Sequence, residues 1–168
     1  EARVRESGLA WVILRLGAVL PLELPMRFDP ITFEIPEDQR VEFVHTRDVG
    51  LAVANAVRCD EALGRTLLIG GGERCRLRMG ELRARMGRVF GMPSFPASAF
   101  TRAPYYTDFM DTSEAQRLLH FQRHDFEDYL AELRSSVPRL VPLVLRLLGR
   151  PIARRLLERS PYYQAQAG

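Results

Sequence analysis

Three short strand-like runs alternate along this chain with stripes of helical spacing, and that order restricts the fold more than any other feature. Trp11-Val12-Ile13-Leu14 follows a stop at Gly8, and Glu42 to His45 forms the second run. Thr66 to Ile69 forms the third and ends in Gly70-Gly71-Gly72. A continuous apolar run such as the first suits a strand covered on both faces, as in a parallel sheet. Val49, Ala52, Val53, Ala56 and Val57 repeat at helical spacing, and so do Met79, Leu82, Met86, Val89 and Phe90. Gly91 and Pro93 stop the second stripe. The alternation predicts an α/β fold.

Local signals place the element ends. Asp48 is the predicted N-cap of the helix after the second strand. Asp111-Thr112-Ser113-Glu114 resembles a capping box that opens a short helix through Leu118 and Leu119. Asp125 is the predicted cap of a helix with Phe126, Tyr129, Leu130 and Leu133 on its apolar side. The opening Glu1 to Gly8 reads as the end of a helix closed by glycine, so the chain is expected to be a fragment or an excised domain. Pro21 to Gln39 holds four prolines and little periodicity, and reads as a long connection or lid.

Composition excludes some classes of function. A length of 168 residues is enough for a real core. A net charge of +3 does not by itself indicate nucleic acid, since a footprint needs clustering on one face, and nucleic acid is not an expected partner. The two cysteines, Cys59 and Cys75, have neither ligand spacing nor a disulfide framework, and a cytoplasmic location is expected. His120 and His124 have a spacing that suits a metal on one helix, but no third ligand stands nearby, so no metal site is predicted. Gly70-Gly71-Gly72 lacks the spacing of a phosphate cradle and reads as a flexible turn. His45 has the intrinsic pKa of a general acid or base. On a half-buried strand it reads more readily as a hydrogen-bonded structural residue.

Four stretches occur in a suggestive order: Ser7 to Val19, Phe43-Val44-His45-Thr46-Arg47-Asp48-Val49, Leu67-Leu68-Ile69-Gly70-Gly71, and Asp111 to Leu119. They are similar, in turn, to the "sGl…ilRpg.vyG" strand and turn, the "fvhvrDva" junction, the "yniGg" strand and the "DtskarrlLG" helix of one family. The chain therefore resembles the C-terminal half of an extended short-chain dehydrogenase/reductase, the NAD-dependent epimerase/dehydratase family. The resemblance implies that residues 1–136 are the C-terminal part of a Rossmann-type parallel sheet with a small, mostly helical substrate-binding portion. It assigns the glycine-rich dinucleotide loop and the Tyr-x-x-x-Lys pair to an N-terminal half. This chain contains neither, since all 24 of its basic residues are arginine. It is expected to hold no catalytic residue of its own.

The same resemblance assigns the remaining roles. The missing N-terminal half is the first expected partner, and a small-molecule substrate the second. NAD or NADP serves the intact enzyme, and no cofactor is expected to bind the isolated chain. Leu16, Gly17, Ala18 and Val19 match positions near the nicotinamide. Arg15, His45, Arg47 and Arg102 are expected on the substrate side. Arg102 is a loose match to one of two family arginines that hold a nucleotide-sugar diphosphate. Val41 falls at the other position, with Arg40 one step away, and a less polar substrate fits equally well.

Residues 137–168 differ in composition and read as a basic amphipathic helical tail. Arg139, Arg146, Arg150 and Arg154 lie near one another on a helical wheel, among many leucines and valines. Pro142 and Pro151 predict two short helices rather than one. The apolar run is far short of the ~20 residues that span a bilayer. Two readings stay open: a peripheral membrane contact with anionic lipid, or packing against its own domain or a homodimer mate. The predicted function is the substrate-pocket portion of an NAD(P)-dependent oxidoreductase or epimerase, incomplete for catalysis as given. The alternative is a non-catalytic binding or membrane-surface module on the same scaffold.

Overall fold

A computed structural model of the chain describes residues 1–20, 22 and 29–164. In chain order the elements are α1 (Ala2–Arg5), β1 (Ile13–Leu16), β2 (Arg40–Glu42), α2 (Thr46–Ala56), β3 (Thr66–Ile69), β4 (Arg76–Arg78), α3 (Met79–Phe90), α4 (Ser113–Leu119), α5 (Phe126–Ser136), α6 (Leu140–Leu157) and α7 (Pro161–Gln164). The fold is mixed α/β with a small parallel sheet. Its residues form two compact units. The first comprises Glu1–Pro21, Val41–Arg76 and Phe109–Tyr129; the second comprises Leu22–Arg40, Leu77–Asp108 and Leu130–Gly168.

In the first unit β1 and β3 run parallel, with Ile13 opposite Thr66 and Leu16 opposite Ile69. Parallel neighbours need a long crossover, and α2 lies within it. The core is built from Ala52 and Ala56 of α2, Leu67 and Ile69 of β3, Ala115 and Leu119 of α4, and Val44 and Phe121. The alanines let helix backbones come close without leaving voids. Asn55 Nδ2 donates to the Leu119 carbonyl at 2.7 Å, which satisfies an acceptor at the open end of α4. A second apolar group forms around Phe43, whose ring centroid lies 5.6 Å from Phe126 and 5.0 Å from Tyr129.

Several predicted element ends move. The first strand is Ile13–Leu16 rather than Trp11–Leu14. Its regular parallel register begins at Ile13 opposite Thr66, although Trp11 O already accepts from Gly64 N–H at 2.8 Å. The second run is a strand only to Glu42. Ala18 and Phe43 then form a single parallel bridge, and His45 already caps α2. Ala18 N–H donates to Glu42 O and Val44 N–H to Ala18 O, both at 2.9 Å. Asp48 is not the N-cap. His45 Nδ1 accepts from Arg47 N–H at 3.2 Å and takes that role, while Asp48 is buried in the first turn. The capping box at Asp111 is also rearranged, since Asp111 itself accepts from Ser113 N–H at 3.0 Å. Asp125 caps α5 as predicted, through Glu127 N–H at 2.9 Å and Asp128 N–H at 3.1 Å.

The second unit packs around Phe33, Ala99 and Phe100, with Phe95, Leu157 and Tyr162 against them. Thr101 N–H donates to Phe33 O at 2.9 Å and ties the Pro30–Glu34 3-10 turn to this cluster. That turn lies inside the expected Pro21–Gln39 connection; Pro21 and residues 23–28 are outside the described residues. Helix α3 closes on Gly91 as predicted, at φ +74°. One helix, α6, replaces the two predicted between Pro138 and Leu157. Pro142 sits in its first turn, where no N–H donor is needed. Pro151 removes one hydrogen bond, but Gly149 and Ala153 on the packed side stay buried and hold the helix through it.

Gly91 is a direct test of this packing. A Cβ there would lie 2.5 Å from the Pro142 carbonyl oxygen, in a left-handed backbone that disfavours side chains. Gly91→Ala is expected to destabilise the chain by more than about 1 kcal/mol in urea unfolding. An unchanged midpoint would show that α3 does not end against α6 in this way.

Candidate functional site

The strongest local chemistry in the first unit lies at the carboxyl end of β1 and β3. Glu42, between Val41 and Phe43, has a fully buried side chain. Its Oε2 accepts from Arg76 Nε at 3.0 Å and from Met110 N–H at 3.1 Å, and its Oε1 accepts from Gly72 N–H at 3.1 Å. Arg76 also donates to Met110 O at 2.8 Å and places its guanidinium 5.4 Å from the Phe109 ring centroid. A buried charge is tolerated only when paired and hydrogen-bonded, and this carboxylate is both. Its bulk explains one glycine, since a Cβ at Gly70 would collide with the Glu42 carboxylate. A Cβ at Gly17 would instead lie 2.8 Å from the Glu42 backbone carbonyl.

The predicted cofactor positions Leu16, Gly17, Ala18 and Val19 follow along this edge. Gly17 N–H donates to Ile69 O at 2.8 Å, and Ala18 uses its N–H and carbonyl within the sheet. The Leu16 and Val19 side chains are exposed. The segment therefore offers an apolar surface, and its Gly17 and Ala18 amides are already bonded, so these two are not available to a phosphate. Gly70-Gly71-Gly72 is no flexible turn: a Cβ at Gly71 would collide with Cys75 Sγ and the Phe43 carbonyl.

A second polar cluster is built on Asp48. It accepts from Arg123 N–H at 2.9 Å and His124 N–H at 3.0 Å, and its other oxygen is 2.6 Å from His124 Nδ1. Because a carboxylate only accepts, His124 carries its hydrogen on Nδ1. His45 stacks on His124 with centroids 4.5 Å apart. His45 is fully buried, and its Nδ1 accepts, so a neutral ring holds its proton on Nε2. Cys75 lies alongside, with Sγ 3.7 Å from His124 O. Carboxylate, imidazole and thiol together suggest nucleophilic chemistry, but burial pushes the Cys75 thiol up to about 12, with Asp125, Asp48 and Glu42 adding to the effect. Thiolate, the reactive form, is therefore negligible at neutral pH. The cluster ties the start of α5 to α2.

The other predicted residues are dispersed. Arg15 is bound to Glu1 through two hydrogen bonds, at 2.9 and 2.8 Å, and that contact holds the Glu1 carboxyl below its usual range. Arg47 is exposed in the first turn of α2. Arg102 belongs to the second unit, where it lines a polar cleft of about 400 Å³ with Asp38, Arg40 and Arg78. Arg78 donates to Asp38 O at 2.7 Å, and Arg40 pairs with Asp108 at 2.5 Å. A separate apolar cleft of about 330 Å³ in the same unit is lined by Leu82, Met86, Met92, Phe95 and Leu156. At its edge Arg83 is held by Glu37 and by the Thr32 and Ile35 carbonyls, each at 2.7 Å. The sequence reading missed Glu42, Arg76 and the His124–Asp48 pair. Among the described residues no group of three or more metal-binding side chains occurs.

Two outcomes test this geometry. Glu42→Gln leaves Arg76 facing a neutral group; loss of one partner of a buried pair costs about 3–5 kcal/mol. Arg76 is about a third exposed, so a value near the lower bound is expected in urea unfolding. Alkylation of the native protein with iodoacetamide at pH 8 is expected to spare Cys75, as read by peptide mass spectrometry. Labelling of Cys75 without unfolding would contradict its placement.

No family model and no curated protein matches the sequence. Solved structures match it in fold. An epimerase from Methanothermobacter thermautotrophicus aligns at TM-score 0.61 and 14% identity, over 92% of this chain and 48% of its own. UDP-glucose 4-epimerase from Thermotoga maritima, solved with UDP-glucose, aligns at TM-score 0.57 and 18% identity, over 79% of this chain and 47% of its own. UDP-glucuronic acid 4-epimerase from Bacillus cereus, in complex with UDP-glucuronic acid and NAD, aligns at 0.53 and 18%, over 77% and 45%. The chain thus has the fold of part of an extended short-chain dehydrogenase/reductase, spanning about half the length of the epimerases it matches.

Proposed function

We propose that this chain is the substrate-pocket portion of an NAD(P)-dependent oxidoreductase or epimerase, and that the hydride and proton machinery lies in polypeptide outside it. The observation that carries the reading is the carboxyl edge of β1, where Leu16, the last residue of the parallel ladder, and Val19 beyond it remain exposed. Open α/β sheets bind ligands at that edge. NAD or NADP, when bound, supplies hydride acceptance and donation. Leu16 and Val19 would shield one side of its ring from water, and the Glu42 backbone carbonyl, which accepts from Ala18 N–H at 2.9 Å, holds the turn that presents them. A tyrosine in the other half exchanges a proton with the substrate, and a neighbouring lysine lowers its pKa.

The arginine cleft of the second unit supports an anionic substrate group. Arg40, Arg78 and Arg102 line one opening, and guanidinium forks suit phosphate oxygens. This favours a nucleotide-sugar-like substrate over a wholly apolar one. It is the reading in which Arg102 takes the role that the family resemblance implies for it.

The test is to express the reading frame with whatever precedes Glu1 and to assay NAD(P)-dependent turnover. The account expects a glycine-rich loop and a Tyr-x-x-x-Lys pair in that segment. In that protein Arg102→Ala is expected to raise KM for a phosphorylated substrate about tenfold with little change in kcat, as for loss of uniform binding. The 168-residue chain alone is expected to give no calorimetric signal with NADH or NADPH. A clear titration of the chain alone, or an upstream segment without those motifs, would overturn the proposal.

A further inference from the structure

Helix α6 has two apolar sides, and only one of them is packed. Gly149 and Ala153 are buried, with Leu145, Ile152 and Leu156 half-buried near them. A Cβ at Gly149 would lie 3.0 Å from Pro93, which shows how closely this side meets the second unit. On the opposite side Leu140, Leu143, Val144, Leu147 and Leu148 are all exposed, Leu140 by 71% and Leu147 by 75%. Their spacing is i, i+3, i+4, i+7 and i+8, one continuous stripe along the helix. Scattered exposed leucines need no explanation, but an aligned patch does.

The charges beside the stripe identify what covers it. Arg146, Arg150 and Arg154 follow one another at steps of four along one flank, and Arg155 lies near the other. The eighteen residues of α6 contain no aspartate or glutamate. A second copy of the helix laid on this stripe would bring arginines together with no acid on either helix to pair them, which is unfavourable. An anionic bilayer answers both features, since leucines enter the headgroup region while arginines meet lipid phosphates. No helix of the described residues is long and apolar enough to cross a membrane.

We propose that α6 docks the chain in plane on an anionic lipid surface, its Leu140–Leu148 stripe inserted and its arginine row paired with headgroup phosphates. The inference is independent of the catalytic reading above. Removing the whole helix would be a poor test, because its packed side is part of the second unit. Point variants on the exposed side are better: Leu143→Ser with Leu147→Ser, and Arg146→Glu with Arg150→Glu.

Each protein is sedimented with phosphatidylcholine vesicles and with vesicles containing roughly a third phosphatidylglycerol. Unaltered urea midpoints confirm that the variants fold. The unmodified chain is expected to pellet with the anionic vesicles only and to be released by high salt. Each double variant is expected to lose about tenfold or more in partitioning. If a variant fails to fold, the lipid and salt dependence of the unmodified chain still decides. Absence of binding to anionic vesicles overturns the proposal, and so does salt-insensitive binding or binding that neither variant weakens. A concentration-dependent dimer that the leucine variant abolishes, without vesicle binding, would assign the stripe to a second copy instead.

Discussion

The first unit depends on a buried negative charge. Glu42 gathers an arginine and two backbone amides that lie far apart in sequence: Gly72 after β3, Arg76 in β4, and Met110 before α4. The carboxylate meets each of these donors, and Arg76 is further anchored on the Met110 carbonyl. Gly70 must lack a side chain because the carboxylate fills the space beside it. Ordinary surface ion pairs do not have this leverage. Arg117–Glu61 and Arg40–Asp108 are half exposed or more, and such pairs contribute about 0–1 kcal/mol. A buried pair is costly to break from either end, so it constrains the backbone around it.

That constraint shapes the surface offered to ligand. Gly17 and Ala18 are hydrogen-bonded into the sheet, while Leu16 and Val19 are left outward at the strand end. The Asp48–His124 pair does similar structural work at the start of α2: the Asp48 carboxylate accepts from the Arg123 and His124 amides and holds the His124 imidazole through Nδ1. The second unit contributes differently, through an arginine-lined cleft and an apolar one.

Elements that rest on local pattern were legible in the sequence. Thr66–Ile69 and Met79–Phe90 form with the predicted bounds, because a short apolar run and a glycine-stopped helical stripe carry their own signals. Elements set by partners were not. The first strand starts two residues late because its parallel register with β3 begins only at Ile13 opposite Thr66. Strand β4 was missed because Arg76-Leu77-Arg78 is too short and too charged to stand out. Pro151 argued for a break that packing around Gly149 and Ala153 prevents. Glu42 was invisible for a related reason: a glutamate between Val41 and Phe43 looks like the outward residue of a half-exposed strand. Only Arg76, 34 residues on, makes its burial tolerable.

Amide hydrogen exchange on the unmodified chain tests the central claim most directly. If the buried carboxylate organises the carboxyl edge, Gly72 and Met110 N–H exchange as slowly as Gly17 and Val44 within the sheet, because all open in one cooperative step. Rapid exchange at Gly72 and Met110 beside a protected Gly17 and Val44 would mean that Glu42 does not hold these segments together.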